Sequence, residues 1–285
     1  MRLYKTLRGN LLEEDGKYYL LDLDWDELIN RDHLHGWLST VRAQSKELPA
    51  GSAAGWIAED ALAPIGEQEV WAAGVTYLRS RDARMEESKE SGASYFYDKV
   101  YEAERPELFF KALPHRVAAP GKEVYIRRDS SWDVPEPELA LFINSNGLIQ
   151  GYTIGNDMSS RSIEGENPLY LPQAKMYEMS ASLGPCLYVP EKPVPSTTTI
   201  RMSITRAGKE MYSGSVEIAR MRRSLPELAS WLFREFDFPH GCFLMTGTCL
   251  VPSNDFTLHE KDRVEIGIEG IGVLVNTIAY KPTNR

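Results

Sequence analysis

Val134-Pro-Glu-Pro-Glu-Leu-Ala-Leu-Phe-Ile143, followed by Asn144-Ser-Asn-Gly147 and Leu148-Ile-Gln-Gly-Tyr-Thr-Ile-Gly-Asn-Asp157, is the stretch on which the reading of this chain turns. The apolar, β-prone run from Glu136 to Ile143 predicts a strand, and alternation along a strand puts Glu136 and Glu138 on one face. Asn146-Gly147 favours a two-residue hairpin turn, because both central positions of that turn take φ > 0. Counting outward from such a turn sets Asp157 opposite Glu136, at a Cβ separation of about 4.5–5.5 Å, with Glu138 on the diagonal. Three carboxylates then converge. Grouped without a cation they raise one another's pKa, so a hard divalent ion is their natural partner. An all-oxygen ligand set favours Mg²⁺, with Mn²⁺ or Ca²⁺ as substitutes, over Zn²⁺. A Glu-x-Glu by itself reads as a solvated strand face; the opposed Asp157 favours the metal site, and a bulge in the hairpin would shift the register.

A chain of 285 residues with 42% hydrophobic content can bury a substantial core, as one large domain or a core with an appendage. Acidic residues outnumber basic ones 41 to 32, and the net charge of −9 argues against a nucleic-acid partner held through phosphates. No stretch approaches the roughly 20 apolar residues of a membrane span. The opening Met1-Arg-Leu-Tyr-Lys-Thr-Leu-Arg8 lacks the apolar core of a secretory signal, so a cytoplasmic location is expected. Cys186, Cys242 and Cys249 have no Cys-x-x-Cys spacing and read as core thiols. His33 and His35 read as surface residues, and no histidine has a serine or cysteine context that suggests a nucleophilic triad.

Residues 1–65 alternate short strand-like runs, such as Tyr18–Asp22, with polar segments, and suggest a small N-terminal α/β unit ahead of a catalytic domain at 66–285. Leu48-Pro-Ala-Gly-Ser-Ala-Ala-Gly55 reads as a loop or linker. Glu69–Tyr77 reads as a buried strand entering a loop. Leu78–Glu107 is long, charged and helical in composition, and fits either a lid or a solvated helix. From Leu108 onward short β-prone runs recur between Gly, Pro and Asn signals, predicting a mixed, mostly β core. Leu225–Phe236 is amphipathic at helical spacing, with Ser224 as N-cap and Pro226 in the first turn.

Gly74-Val-Thr-Tyr77, Phe109-Phe-Lys111, Pro135-Glu-Pro-Glu138, Gly151–Asp157, Lys175 with Gly184-Pro185, and Thr246-Gly-Thr248 with Pro252 occur in this order. In that order and spacing the chain resembles the fumarylacetoacetate hydrolase superfamily over roughly residues 69–280. The resemblance implies a β-roll core, a divalent metal, usually Mg²⁺, on Glu136, Glu138 and Asp157, and a homodimer or homotetramer. Val100–Lys111, Asp129–Glu138 and Glu166–Lys175 look most similar to the branch that dehydrates 2-keto-3-deoxy-pentonates, of the arabinonate or xylonate series, to 2,5-dioxopentanoate. Hydrolases of the superfamily place a water-activating histidine shortly after the Gly-x-x-Tyr segment, whereas here Leu78-Arg-Ser-Arg-Asp-Ala-Arg84 follows Tyr77. In another departure, the usual Ala-Arg-Asp after the metal aspartate reads Ser160-Arg161-Ser162.

The small-molecule partner so implied is a 2-keto acid. A metal-chelated 2-keto-3-deoxy acid is acidic at C3, and its C4 hydroxyl needs a general acid to leave. Lys175 and Glu107 are the candidates for the two proton transfers, and Glu107 shares a strand face with Lys111, a candidate substrate contact. Thr248 and Thr76 are candidate donors to the substrate carboxylate; outside these motifs both read as ordinary turn hydroxyls, and Lys175 reads as a surface lysine or a cation neutralising the acidic cluster. Hydrolysis or decarboxylation of a 2-oxo or 2,4-dioxo acid is the competing activity on the same fold, and a non-catalytic binder is disfavoured because the carboxylates and Lys175 occur together.

Overall fold

The computed structural model describes residues 1–80, 85 and 94–283. Much of the charged stretch Leu78–Glu107, expected as a lid or a solvated helix, lies outside the described residues; its last part is the helix Ser94–Glu102.

The expected mostly β architecture is present as two large sheets and a two-stranded ribbon. In chain order the first strands are β1 (Arg2–Thr6), β2 (Gly9–Glu14), β3 (Lys17–Leu21), β4 (Lys46–Leu48), β5 (Glu69–Gly74), β6 (Glu107–Ala112), β7 (Val117–Ala118), β8 (Glu123–Ile126) and β9 (Asp133–Val134). They continue as β10 (Pro137–Ile143), β11 (Ile149–Asp157), β12 (Ser159–Ser160), β13 (Ala181–Tyr188), β14 (Thr199–Arg206), β15 (Lys209–Glu217), β16 (Cys242–Met245), β17 (Arg263–Ile268) and β18 (Gly272–Tyr280). The large sheet runs β4-β3-β2-β1-β13-β11-β10-β16-β5-β6 with β7 against β13, and the second runs β15-β14-β17-β18-β8. Both mix antiparallel pairs with parallel ones, β16 with β5 in the first and β18 with β8 in the second. Strands β1 to β4 join the large sheet through the β1–β13 pair.

Strand β10 shows why the chain folds this way. All seven of its residues are buried, which is the pattern of a strand covered on both faces. Leu139, Leu141 and Ile143 enter the core shared with the second sheet. Ala140 and Phe142 face the other core, built with Trp25, Leu28, Leu34 and Leu38 of the N-terminal helices. Each large apolar side chain so placed contributes about 1.5–3 kcal/mol, so a charge at Leu141 or Phe142 would open one core or the other.

The helix expected from Leu225 spans Leu225–Leu232, and its start carries the reciprocal bonds of a capping box between Ser224 and Glu227. The segment Leu48–Gly55, expected as a linker, is instead the entry to the helix Ala50–Asp60. Its Gly and Ser content reads as loop, yet Pro49 at the N-cap and the burial of Ala53 let tertiary contact override local propensity. The three cysteines are free and buried, and burial pushes the Cys186 thiol up to about 12, consistent with core thiols.

Candidate metal centre and active site

The hairpin of β10 and β11 delivers the carboxylates by a route that differs from the expected turn. Asn144 N–H bonds to Leu148 O, so the loop is three residues, Ser145 to Gly147, and only Gly147 takes a left-handed conformation, at φ 76°. A bulge then inserts Gln150 into β11, where the partner of Ile143 is Ile149 but that of Phe142 is Gly151. The longer loop and the bulge cancel. Glu138 therefore pairs with Gly155, and Asp157 N–H donates to Glu136 O at 2.9 Å, the juxtaposition that the simpler turn predicts.

Glu136, Glu138 and Asp157 each offer a ligand oxygen, these atoms lie within 4.8 Å of one another, and all three residues are buried. Burial and then the charges of Asp157 and Glu136 push the Glu138 carboxyl well above its ordinary value. Its Oε2 accepts the Gly247 N–H at 2.6 Å.

Three cations, nearly all out of water, surround the group. Lys175, at the end of the helix Leu171–Lys175, places Nζ 2.5 Å from Glu136 Oε2 and 3.0 Å from Asp157 Oδ2, and also donates to Ser159 Oγ. Arg161, first residue of the helix Arg161–Glu166, donates from Nη2 to Glu136 Oε1 at 2.7 Å. Lys111 Nζ, from the last strand of the sheet, lies 2.6 Å from Asp157 Oδ1 and donates to Met158 O at 3.0 Å and to Lys175 O. Burial lowers the Lys111 pKa, against the pull of Asp157.

The donor set fits a hard divalent cation. The Lys111–Asp157 contact is an ion pair outside hydrogen-bond geometry, and Asp157 Oδ1 accepts no hydrogen bond among the described residues. Glu138 has no basic partner at ion-pair distance among those residues. An acid that lacks a base, grouped with two other buried carboxylates, is the arrangement a cation completes.

A small cavity closes over the carboxylates, with Ala73, Gly74, Val75, Ser80, Phe109 and Thr248 in its walls. Thr248 lines it, and its Oγ1 accepts from Leu250 N. Thr76 does not line it; its hydroxyl donates to Thr246 O at 2.7 Å and ties the two motif loops together. Glu107 stands behind the wall, where a Cβ on Gly74 would come within 1.9 Å of Glu107 Oε2. Ser162, in the place of the usual Asp, exchanges hydroxyl contacts with Ser130 and accepts from Ser131 N. Sequence reasoning gave no role to Arg161, Ser159 or the Gly247 amide. The Ser160-Arg-Ser162 motif flags the neighbourhood of the first, and nothing local marks the other two.

Residues 70–279 match the model of the fumarylacetoacetate hydrolase C-terminal family, and the chain belongs to that family. It is 49% identical over 219 residues to a probable 2-keto-3-deoxyxylonate dehydratase of Haloferax volcanii, covering 76% of this chain and 74% of the relative. It is 43% identical over 218 residues to the 2-dehydro-3-deoxy-D-arabinonate dehydratase of Saccharolobus solfataricus, covering 75% and 73%. The fold superposes on a solved 2-keto-3-deoxy-D-arabinonate dehydratase complexed with magnesium and 2,5-dioxopentanoate. The TM-score is 0.85 and the identity 32%, over 99% of this chain and 100% of that one.

Proposed function

We propose that the protein is a Mg²⁺-dependent dehydratase that converts a 2-keto-3-deoxy-D-pentonate, of the arabinonate or xylonate series, to 2,5-dioxopentanoate. The observation that carries the reading is the buried carboxylate triad with Lys175 Nζ between Glu136 and Asp157, in a chain alike over three quarters of its length to dehydratases of such acids. We assign Glu136, Glu138 and Asp157 as the metal ligands. A divalent cation held there supplies a Lewis acid for the 2-oxo group, which makes the C3 protons acidic.

Lys175 takes a C3 proton, and Glu107 protonates the departing C4 hydroxyl. The C3–H and C4–O bonds break, a C3–C4 double bond forms, water leaves, and tautomerisation carries the unsaturation to C5 as an aldehyde. Thr248 has a hydroxyl proton to give to the substrate from the cavity wall. Thr76 acts through the loop it braces and Lys111 through Asp157, which it holds. The hydrolytic alternative lacks its water-activating histidine after Tyr77.

We read residues 1–65 as an N-terminal unit that extends the sheet of a catalytic part at 66–285, and the working form as a cytoplasmic homodimer or homotetramer. No helix among the described residues is long and apolar enough to cross a membrane. Incubation with Mg²⁺ and a panel of 2-keto acids, with products identified by NMR, tests the activity. Formation of 2,5-dioxopentanoate from 2-keto-3-deoxypentonate is expected; hydrolysis of an acylpyruvate with no turnover of the pentonate reverses the reading.

A further inference from the structure

Strand β6 carries three residues of the site on one face, since Glu107, Phe109 and Lys111 alternate along it. Phe109 lines the cavity and Lys111 reaches Asp157. Yet β6 is the last strand of the large sheet and pairs, among the described residues, with β5 alone. A strand in that position lacks the second ladder that fixes an inner strand. Its far end is anchored by Lys111, which reaches Asp157, Met158 and Lys175. Its entry, where Glu107 stands, needs another restraint.

Arg223 supplies one. It is buried, and its Nη2 donates to Ala103 O at 2.7 Å and Val100 O at 3.3 Å, while Nη1 donates to Glu104 O at 2.9 Å and Glu227 Oε1 at 2.8 Å. One planar fork thus gathers three carbonyls from the end of the helix Ser94–Glu102 and the run into β6, with its charge at the negative end of the helix. Glu227 is fixed in turn, because its Oε2 accepts the Ser224 N–H in the capping box. Beside this contact Arg105 lies over the Trp231 ring, 4.6 Å from its centre.

The same short segment braces the facing loop. Arg222 N–H donates to Thr76 O at 2.9 Å, and Met221 bridges Tyr77. That loop holds Val75 at φ 54°, a left-handed conformation that a β-branched residue adopts only under constraint. Between the two braced pieces Gly74 pairs with Glu107, and the absent Cβ leaves the space that the Glu107 carboxyl occupies: a Cβ there would fall 1.9 Å from Oε2. A slip of the β6 entry would therefore displace Glu107 while Lys111 stayed on its anchor.

We infer that Arg223 is a positioning residue for the acid step, holding Glu107 against Gly74 through the backbone of Val100, Ala103 and Glu104. The inference rests on the dehydratase reading with Glu107 as the acid, and goes beyond it in assigning a role to a residue outside the cavity.

The test uses the full-length Mg²⁺-loaded protein with 2-keto-3-deoxypentonate, following deuterium entry at C3 and formation of 2,5-dioxopentanoate by NMR in one sample. In Arg223→Ala, dehydration should fall about ten- to a hundredfold, the scale of a roughly 1 Å misplacement, with C3 exchange and Mg²⁺ affinity near those of the parent. With Glu107→Gln already in place, the same substitution should cost little more, because a residue that acts through Glu107 has nothing left to position. Arg223→Lys keeps the charge but cannot span the four acceptors, and should show the same split with a smaller loss; it replaces the alanine variant if that one unfolds. Dehydration at the parent rate in a folded variant, equal loss of exchange and dehydration, or full additivity with Glu107→Gln would overturn the inference and leave the dehydratase reading standing. Absence of dehydration in the parent itself would bring down both.

Discussion

Asp262 and Glu138 are both buried acids, one in the second sheet's periphery and one in the middle of the large sheet, and the protein treats them in opposite ways. Asp262 receives Arg206 Nε and Nη2, each at 2.7 Å, and the His259 N–H at 2.8 Å. Glu138 receives one amide, faces two other carboxylates, and is pushed well above its ordinary pKa. An acid whose lone pairs the protein fills serves the fold; we propose that one left short, as Glu138 is, serves a ligand, at the expense of stability without it.

The strongest break of this contrast is Glu138→Gln. Mg²⁺ binding, read by calorimetry, and turnover should fall together, while the metal-free variant should be more stable than the parent at neutral pH. The sign follows from the raised pKa. Wild-type Glu138 contributes stability when protonated, below its unfolded value, and loses it as pH rises through the folded value, so the advantage of the variant should close as pH falls. Full Mg²⁺ occupancy in the triple variant of Glu136, Glu138 and Asp157 to the amides would sink the metal assignment.

Next in size, Lys175→Met and Glu107→Gln should each lower turnover about 10²–10⁴-fold with the metal still bound. Exchange of the C3 protons with deuterated solvent sharpens the division of labour: it should stop in Lys175→Met and persist in Glu107→Gln. Near-normal turnover in either variant removes that residue from the mechanism.

On the structural side, Asp262→Asn should cost about 2–3 kcal/mol in denaturant unfolding, less than for a fully buried pair because the Arg206 side chain is 27% exposed. Mg²⁺ affinity should be untouched. A loss within experimental error would mean that the two acids do not differ in kind.

The smallest effect concerns Asp133, an acid between these extremes, 3% exposed and raised to about 6 by burial. A folded-state pKa above the unfolded value of about 3.9 contributes stability at low pH that is lost as pH rises from about 4 to 6. Asp133→Asn should therefore gain about 1–2 kcal/mol over wild type at pH 7 and nothing below about pH 4. A gain independent of pH would place its origin elsewhere than in the buried charge.

Local chemistry carried a large part of the fold and the acid half of the site. The β-prone runs after Leu108 fall within or beside observed strands, because alternation and turn residues act over a few neighbours. The start of the helix at Leu225 was legible for the same reason, Ser224 and Glu227 being close in sequence. The pairing of Glu136 with Asp157 came from a turn that the protein does not use. The expected turn and the observed loop plus bulge give one register, because the extra loop residue and the inserted Gln150 offset each other. By contrast the loop signals of Leu48–Gly55 yielded to packing in the helix Ala50–Asp60.

The sequence by itself determined that a β-rich chain would bring two glutamates and an aspartate to one face of a hairpin, since pleat and turn are set by neighbours in the chain. Only the tertiary structure decided what meets them. Lys111, Arg161 and Lys175 arrive from a distant strand and two short helices, and the strained Val75 is held by a latch to Thr246. Such meetings depend on strand order and packing across the sheet, which join residues far apart in the chain and leave no periodicity in any local window.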